Sequence, residues 1–401
     1  MRKNHLPALA RRLCALRRRV SARRSGTGTA GTGRVAAALC LLCAFSLLLS
    51  GCAQFQREYV EVSSHVDSTV SEAAPDFANI STYTQLRAAL SSMVSHRQET
   101  AVLRFGRYSG ELSEDLSTAS WSIRAESALG AWCVETVSYE LQRLVSYSEA
   151  DVSIRYKRTA QEMENVVYLT GTVGLSEQIQ QALEQAQTRL VVRLSSRNMD
   201  ADGALAAVQN AWLENPLCSA APPQASVEVY SGKGYERVAD FTFSYDYSAQ
   251  WLEQLRQSLS VAVDRVLESV PAGDTQSRIR SACRILSNDC SYDPDVSDFG
   301  GTAYGALIIG HANSLGYAQA CKLLCDRMDV PCQIIAGRYD RAEHYWNIVE
   351  IDGARYHIDV SLAAQLGLSA VFLRSDSALW GRYTWDIDAY APCLGAATGA
   401  Q

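Results

Sequence analysis

The sequence predicts an α+β fold, and three patterns carry that prediction. Apolar residues recur at steps of three and four in several stretches, as in Ile279, Cys283, Leu286 and Cys290, which is the period of a helix packed on one face. Shorter segments alternate, as in Val152-Ser153-Ile154-Arg155-Tyr156, which is the period of a strand. Two further strand-like runs meet across Asp352-Gly353, a strong short-range hairpin signal. The 401 residues are 47% apolar and 20% charged, with 25 Gly and 9 Pro, so the chain is neither disordered nor collagen-like and can bury sizeable cores.

The amino terminus reads as an address. Residues 1–51 hold ten basic residues and no acidic one, which leaves −16 of the formal charge of −6 on the other 350 residues. The basic region leads into the apolar run Val35 to Leu49, too short for a membrane span of about 20 residues and suited to a signal-peptide core. Leu49-Ser50-Gly51-Cys52 follows and resembles the bacterial lipobox, which implies lipid attachment to the thiol of Cys52 and cleavage before it. Residues 1–51 are thus expected to be a lipoprotein signal peptide and residues 52–79 a tether. The mature protein is expected to be extracytoplasmic, held to the bacterial cell membrane by lipid alone. Its acidic body repels phosphate backbones, which argues against nucleic acid as a partner.

Residues 80–248 are expected to form two α/β repeat units, about 80–165 and 170–248. A helical stretch around Leu86–Leu90 leads to the strand-like Ala101–Phe105, and one around Ile179–Leu183 leads to Leu190–Leu194. A helix ending in Ala131-Trp132 then precedes Val152–Tyr156, as one ending in Ala211-Trp212 precedes Phe241–Tyr245. The repeats carry no catalytic cluster, so packing, spacing or partner binding is their expected role.

The remaining segment, 249–401, begins with a stripe of Trp251, Leu252, Leu255, Leu259, Ala262, Val266 and Val270 that Pro271 and Gly273 end, after which Asp274 can cap a second helix. A third helix is predicted after Asn313 and Ser314, either of which is a natural N-cap, with Ala318, Cys321, Cys325 and Met328 along one face. A side chain at 314 would stand where backbone N–H groups converge, the place where a thiol becomes a nucleophile. Downstream, a two-residue turn at Asp352-Gly353 sets Ile351 opposite Ala354, Trp346 opposite Asp359 and His344 opposite Ser361. His344 and Asp359 then share a face as diagonal neighbours, within reach of each other.

These residues carry a resemblance. Thr302-Ala303-Tyr304-Gly305-Ala306-Leu307, Ala312-Asn313-x-x-Gly316-Tyr317-Ala318, Val330-Pro331-Cys332, His344-x-Trp346-Asn347, Asp352-Gly353-x-x-Tyr356-x-x-Asp359, Tyr383-x-Trp385 and Pro392-Cys393 look like the bacterial transglutaminase-like superfamily, over about residues 250–395. The resemblance implies a papain-like fold, with a helix bearing the nucleophile packed on an antiparallel sheet and a Cys-His-Asp triad. It places His344 and Asp359 at the histidine and aspartate, and Ser314 where the family has its cysteine. It also implies a cleft lined by Asn313, Tyr317, Trp346 and Asn347. A thiol is readily activated beside an imidazole, whereas a serine hydroxyl needs concerted proton removal in a site shaped for it. Ser314 therefore reads as a cap in a silent site, a serine nucleophile, or an artificial substitution.

Two functions follow, and a passive spacer is a third. The leading one is a lipid-anchored binding or structural module at the cell envelope, impaired in catalysis, with an envelope protein or a peptide as ligand. The alternative is an acyl-transfer enzyme, an amidase, peptidase or transglutaminase-like one acting on peptide or cell-wall substrates, in which Ser314 attacks an amide, His344 serves as base and then acid, and Asp359 orients the imidazole. No cofactor or metal is expected: the eight cysteines beyond Cys52 form no Cys-x-x-Cys pair and the histidines are scattered. Those cysteines could pair as disulfides outside the cytoplasm, or serve as small apolar core residues.

Overall fold

The computed structural model describes residues 77, 79–221, 223–296 and 298–394. The amino-terminal basic region, the apolar run, Cys52 and most of the expected tether lie outside the described residues. The described part has the mixed helix and antiparallel-sheet build expected of an α+β chain. Among the described residues no helix is long and apolar enough to cross a membrane.

The first segment runs α1 (Tyr83–Ser95), β1 (Thr100–Phe105), α2 (Leu112–Glu126), α3 (Ala128–Cys133), β2 (Val134–Arg143) and β3 (Ser148–Tyr156). The second runs α4 (Ala160–Glu164), β4 (Val167–Leu169), α5 (Leu175–Glu184), β5 (Arg189–Ser195), α6 (Ala201–Glu214), β6 (Gln224–Ser231) and β7 (Glu236–Ser244). Their sheets have the orders β1-β3-β2 and β4-β5-β7-β6, so in both the closing strand of the hairpin lies beside the strand that follows the first long helix. Thr82 caps α1 and Asp200 caps α6, each accepting from a backbone N–H three residues on. Helix and sheet close over separate cores, one around Leu86, Leu103 and Trp132, the other around Ile179, Val192 and Phe241.

The third segment begins with α7 (Ala249–Glu268) and α8 (Thr275–Asp289), the latter capped by Asp274 through the Ser277 N–H. Leu252, Leu255, Leu259 and Ala262 of the expected stripe are buried, while Trp251 is 37% exposed and stacks on Tyr247. A short pair, β8 (Ser291–Tyr292) and β9 (His311–Ala312), leads to α9 (Ser314–Arg327). Then come β10 (Cys332–Tyr339), β11 (Ala342–Ile351), β12 (Ala354–Ile358), three short helices α10 (Ala363–Leu366), α11 (Leu368–Val371) and α12 (Asp376–Leu379), and β13 (Tyr383–Trp385). The sheet order is β12-β11-β10-β13, all antiparallel.

Asp352 and Gly353 both take positive φ, at 52° and 76°, and the register set by that turn pairs Ile351 with Ala354 and Asn347 with Ile358. One face of the sheet packs on α9 through Cys332, Val349 and Ile351; the other carries Ile335, Trp346, Ile348 and Tyr383. Helix α9 is buried almost all round, which explains why its polarity is confined to few positions. Its first turn lies against the preceding loop, where a Cβ on Gly316 would come within 2.4 Å of the Gly300 carbonyl oxygen, so the close approach requires glycine.

Candidate active site

Asn313 is the N-cap of α9, its Oδ1 accepting from the N–H groups of Leu315 (3.0 Å) and Gly316 (3.2 Å), and Ser314 is the first helical residue. The Ser314 hydroxyl oxygen accepts the backbone N–H of Tyr345 at 3.2 Å. The reason lies in the ladder. In an antiparallel strand, successive residues direct their N–H and C=O to alternate sides. Asn347 faces β12, and so does Tyr345, but β12 has ended at Ile358, the partner of Asn347. Ser314 supplies the acceptor that the missing strand would have offered.

His344 and Asp359 are brought together, with Nε2 of His344 2.7 Å from Oδ2 of Asp359. A carboxylate only accepts, so the imidazole carries its proton on Nε2 and leaves Nδ1 as the acceptor. Asp359 also accepts from the Tyr383 hydroxyl (2.8 Å) and the Ser361 hydroxyl (2.6 Å). Burial, followed by the Asp359 charge, pushes the Tyr383 hydroxyl far above its ordinary range. His344 and Asp359 are each 3% exposed and Ser314 is 6% exposed. Among the described residues no hydrogen bond joins Ser314 to His344; the hydroxyl and the imidazole each bond elsewhere. Tyr383 lies in the Tyr383-x-Trp385 motif and the turn register places Ser361 opposite His344, but nothing in the sequence gives either of them the role of donor to Asp359.

A second buried network stands behind the first. The Trp346 indole N–H donates to Nδ1 of His357 (2.9 Å), Nε2 of His357 meets Oδ1 of Asp376 (2.8 Å), and Oδ2 of Asp376 accepts the Cys393 N–H (3.2 Å). Trp346 in turn stacks beside His344, with ring centroids 6.2 Å apart. Burial lowers the His357 pKa below its ordinary value, against the opposing pull of Asp376. Because the folded value lies below the unfolded one of about 6.5, protons bind the unfolded chain first. The stabilisation from neutral His357 is complete above that pH and is lost as pH falls below it. The melting temperature should therefore decline from pH 7 to pH 5, and decline less in His357→Gln, whose amide does not titrate; equal declines would refute the assignment.

His357, Asp376 and Cys393 each place a ligand atom within 4.8 Å of the others. The bonding argues against a cation there. Indole nitrogen only donates, so Nδ1 of His357 must accept and Nε2 keeps the proton that a metal would have to displace.

Three expected cleft residues need correction. Tyr317, Trp346 and Asn347 have at most 2% of their surface exposed and are engaged in packing. The Tyr317 hydroxyl donates to the Cys290 carbonyl, and the Asn347 amide donates to the Ala318 carbonyl at 2.9 Å, tying β11 to α9. Asn313, half-buried, is used as a helix cap. All eight described cysteines are buried and unpaired, so they act as core residues. Neighbouring thiols, Cys283 first, together with burial push the Cys321 thiol well up, and it cannot stand in for Ser314.

No family model matches the chain, and no curated protein does. Among solved structures, a TGase is similar over 52% of this chain and 60% of its own, at 11% identity and a TM-score of 0.24. A candidate cysteine protease from Cytophaga hutchinsonii is similar over 35% of this chain and 62% of its own, at 10% identity and a TM-score of 0.24. A candidate protease from Parabacteroides distasonis ATCC 8503 is similar over 57% of this chain and 49% of its own, at 13% identity and a TM-score of 0.22. The chain spans less than two thirds of the length of each.

Proposed function

We propose that this is an extracytoplasmic protein, anchored to the membrane through lipid on Cys52, whose transglutaminase-like domain binds a partner at the cell envelope and does not transfer acyl groups. One observation carries the silent half of that reading: the Ser314 hydroxyl is the acceptor that closes the end of the β11 ladder, with no general base bonded to it. A hydroxyl keeps its proton without a base in contact, so it is no nucleophile near neutral pH. The envelope location rests on the amino-terminal sequence, and the acidic body suits a partner other than nucleic acid.

The serine-enzyme reading also has an observation in its favour. The Nε2 bond to Asp359 leaves Nδ1 of His344 as an acceptor with no hydrogen bond among the described residues, which is the state a general base requires.

Ser314→Cys separates the two. The unaltered chain should give no fluorophosphonate adduct and no incorporation of a dansylated amine into a glutamine-bearing protein. The variant should gain amine transfer on the order of a hundredfold over background, abolished by iodoacetamide, because a thiol beside an imidazole ionises where a hydroxyl does not. Fluorophosphonate labelling of Ser314 in the unaltered chain, lost in His344→Ala, would establish the enzyme instead.

A further inference from the structure

The outer edge of β10 is only partly covered. Strand β13 pairs with Gly337, Arg338 and Tyr339 and no further, while β11 pairs with all of Cys332–Tyr339 on the other side. The two-residue turn between β10 and β11 closes on Tyr339 and Ala342, so the odd-numbered residues of β10 bond to β11 and the even-numbered ones face outward. Asp340, whose N–H reaches the Arg382 carbonyl at 2.9 Å, and Glu350, whose N–H crosses to the Pro331 carbonyl, agree with that alternation. Ile334 and Ala336 therefore direct an N–H and a C=O each to a side where β13 has already ended. At Cys332 the outward carbonyl is taken up by the Lys322 ammonium at 3.1 Å, which marks the end of the open stretch.

Space lies beside this edge. A cavity of about 540 Å³ is bounded by Ile334 and Gln333, by Ala389 and Tyr390 of the segment that leaves β13, and by Leu213 and Glu214 of α6. A second cavity, of about 420 Å³, is bounded by Ala336, Arg338, Tyr345 and Trp385 and shares no lining residue with the first. Either volume is within the range that holds a bound small ligand or a few residues of chain. The second segment thus supplies one wall of a groove whose floor is the third segment's sheet, and Ala336 sits directly opposite Tyr345, whose N–H rests on Ser314.

We propose that this edge is a docking site for an extended peptide, which adds as a strand through the outward N–H and C=O groups of Ile334 and Ala336. Main-chain groups spaced at every second residue are complementary to an extended backbone and to little else of this size. The inference deepens the reading of the domain as a binding module and rests on it by naming the class of partner.

The test uses the full chain and a dye-labelled acetyl-Thr-Val-Thr-Val-Thr-amide, followed by fluorescence anisotropy, with a second peptide N-methylated at alternate amides. Expected is saturable binding that the N-methylated peptide loses by tenfold or more, with slowed deuterium exchange confined to the β10 peptide. Ala336→Pro should weaken binding to the same degree without lowering the melting temperature by much, because that N–H is not used in the β10–β11 ladder and an edge strand tolerates proline. Should that variant fail to fold, the comparison of the two peptides stands alone. Absence of binding up to about 1 mM peptide, or binding indifferent to N-methylation, overturns the proposal. Fluorophosphonate labelling is read separately: a silent Ser314 with no peptide binding sinks the edge site alone, and a labelled Ser314 with peptide binding sinks the silent site alone.

Discussion

Replacing Asp240 by alanine should cost the fold about 1–3 kcal/mol, the penalty for leaving a buried donor, the Trp132 indole N–H, without its acceptor. Asp240 sits on β7 and is 7% exposed. Its carboxylate accepts from Arg189 twice, through Nε at 2.8 Å and Nη2 at 2.7 Å, and from the Trp132 indole N–H at 2.9 Å, with Arg158 at 3.4 Å. Alanine would leave the Trp132 N–H buried without an acceptor and Arg189 with Glu162 as its sole partner. Because Trp132 and Arg158 belong to the first segment and Arg189 and Asp240 to the second, the loss also loosens the contact between them. Burial alone would raise the Asp240 pKa, but hydrogen bonds and charge from Arg189 outweigh it and hold the carboxyl below its usual range. With the folded value below the unfolded one of about 3.9, this stabilisation is present above that pH and is lost as pH falls through the folded value. Urea unfolding at pH 7 reads the effect directly. Asp240→Asn should lose less, since its amide oxygen still accepts from Trp132, and an alanine variant within about 0.5 kcal/mol of the parent would refute the account.

What the sequence disclosed here was local. The Asp352-Gly353 turn sets its own register, so the pairing of Ile351 with Ala354 could be read from residue numbers; the expected pairs Trp346–Asp359 and His344–Ser361 do not form, because the ladder ends at Ile358 and Asp359 reaches His344 from beyond the strand. The helix start at Asn313 and Ser314 was legible for the same reason, since a cap and the turn it closes are neighbours in the chain. The role of Ser314 was not legible, because it depends on where β12 stops, and nothing in the residues after Ile358 announces that end. Tyr317 illustrates a different failure: it belongs to the motif that carries the resemblance, yet its position on a helix buried all round sends the ring into the core. The Asp240 network joins residues 108 positions apart and needs both segments folded before any of its bonds exists. Open edges are equally silent, since β13 is three residues long and the sequence does not say which part of β10 it will cover.

Asp359→Ala should be the most damaging change in the third segment, at roughly 3 kcal/mol or more. The carboxylate, 3% exposed, is the common acceptor for His344, Tyr383 and Ser361, and each buried donor left without a partner costs about 1–3 kcal/mol. Asp359→Asn separates charge from geometry. Its amide keeps one acceptor oxygen: with that oxygen at the Oδ1 position it still accepts from Ser361, while the NH₂ at the Oδ2 position can donate to a turned Tyr383 hydroxyl and deprives the imidazole of the acceptor that fixes its Nε2 proton. If the pair is retained for structure, Asn should recover most of the stability lost in Ala, and partner binding should follow stability in both variants. If the pair is retained for catalysis, Asn should be nearly as stable as the parent and yet, built into the Ser314→Cys background, should abolish the amine transfer expected there, because a histidine held in the wrong tautomer cannot take the thiol proton through Nδ1. The melting temperature and the transfer rate, measured on the same two variants, therefore report on different roles of one carboxylate.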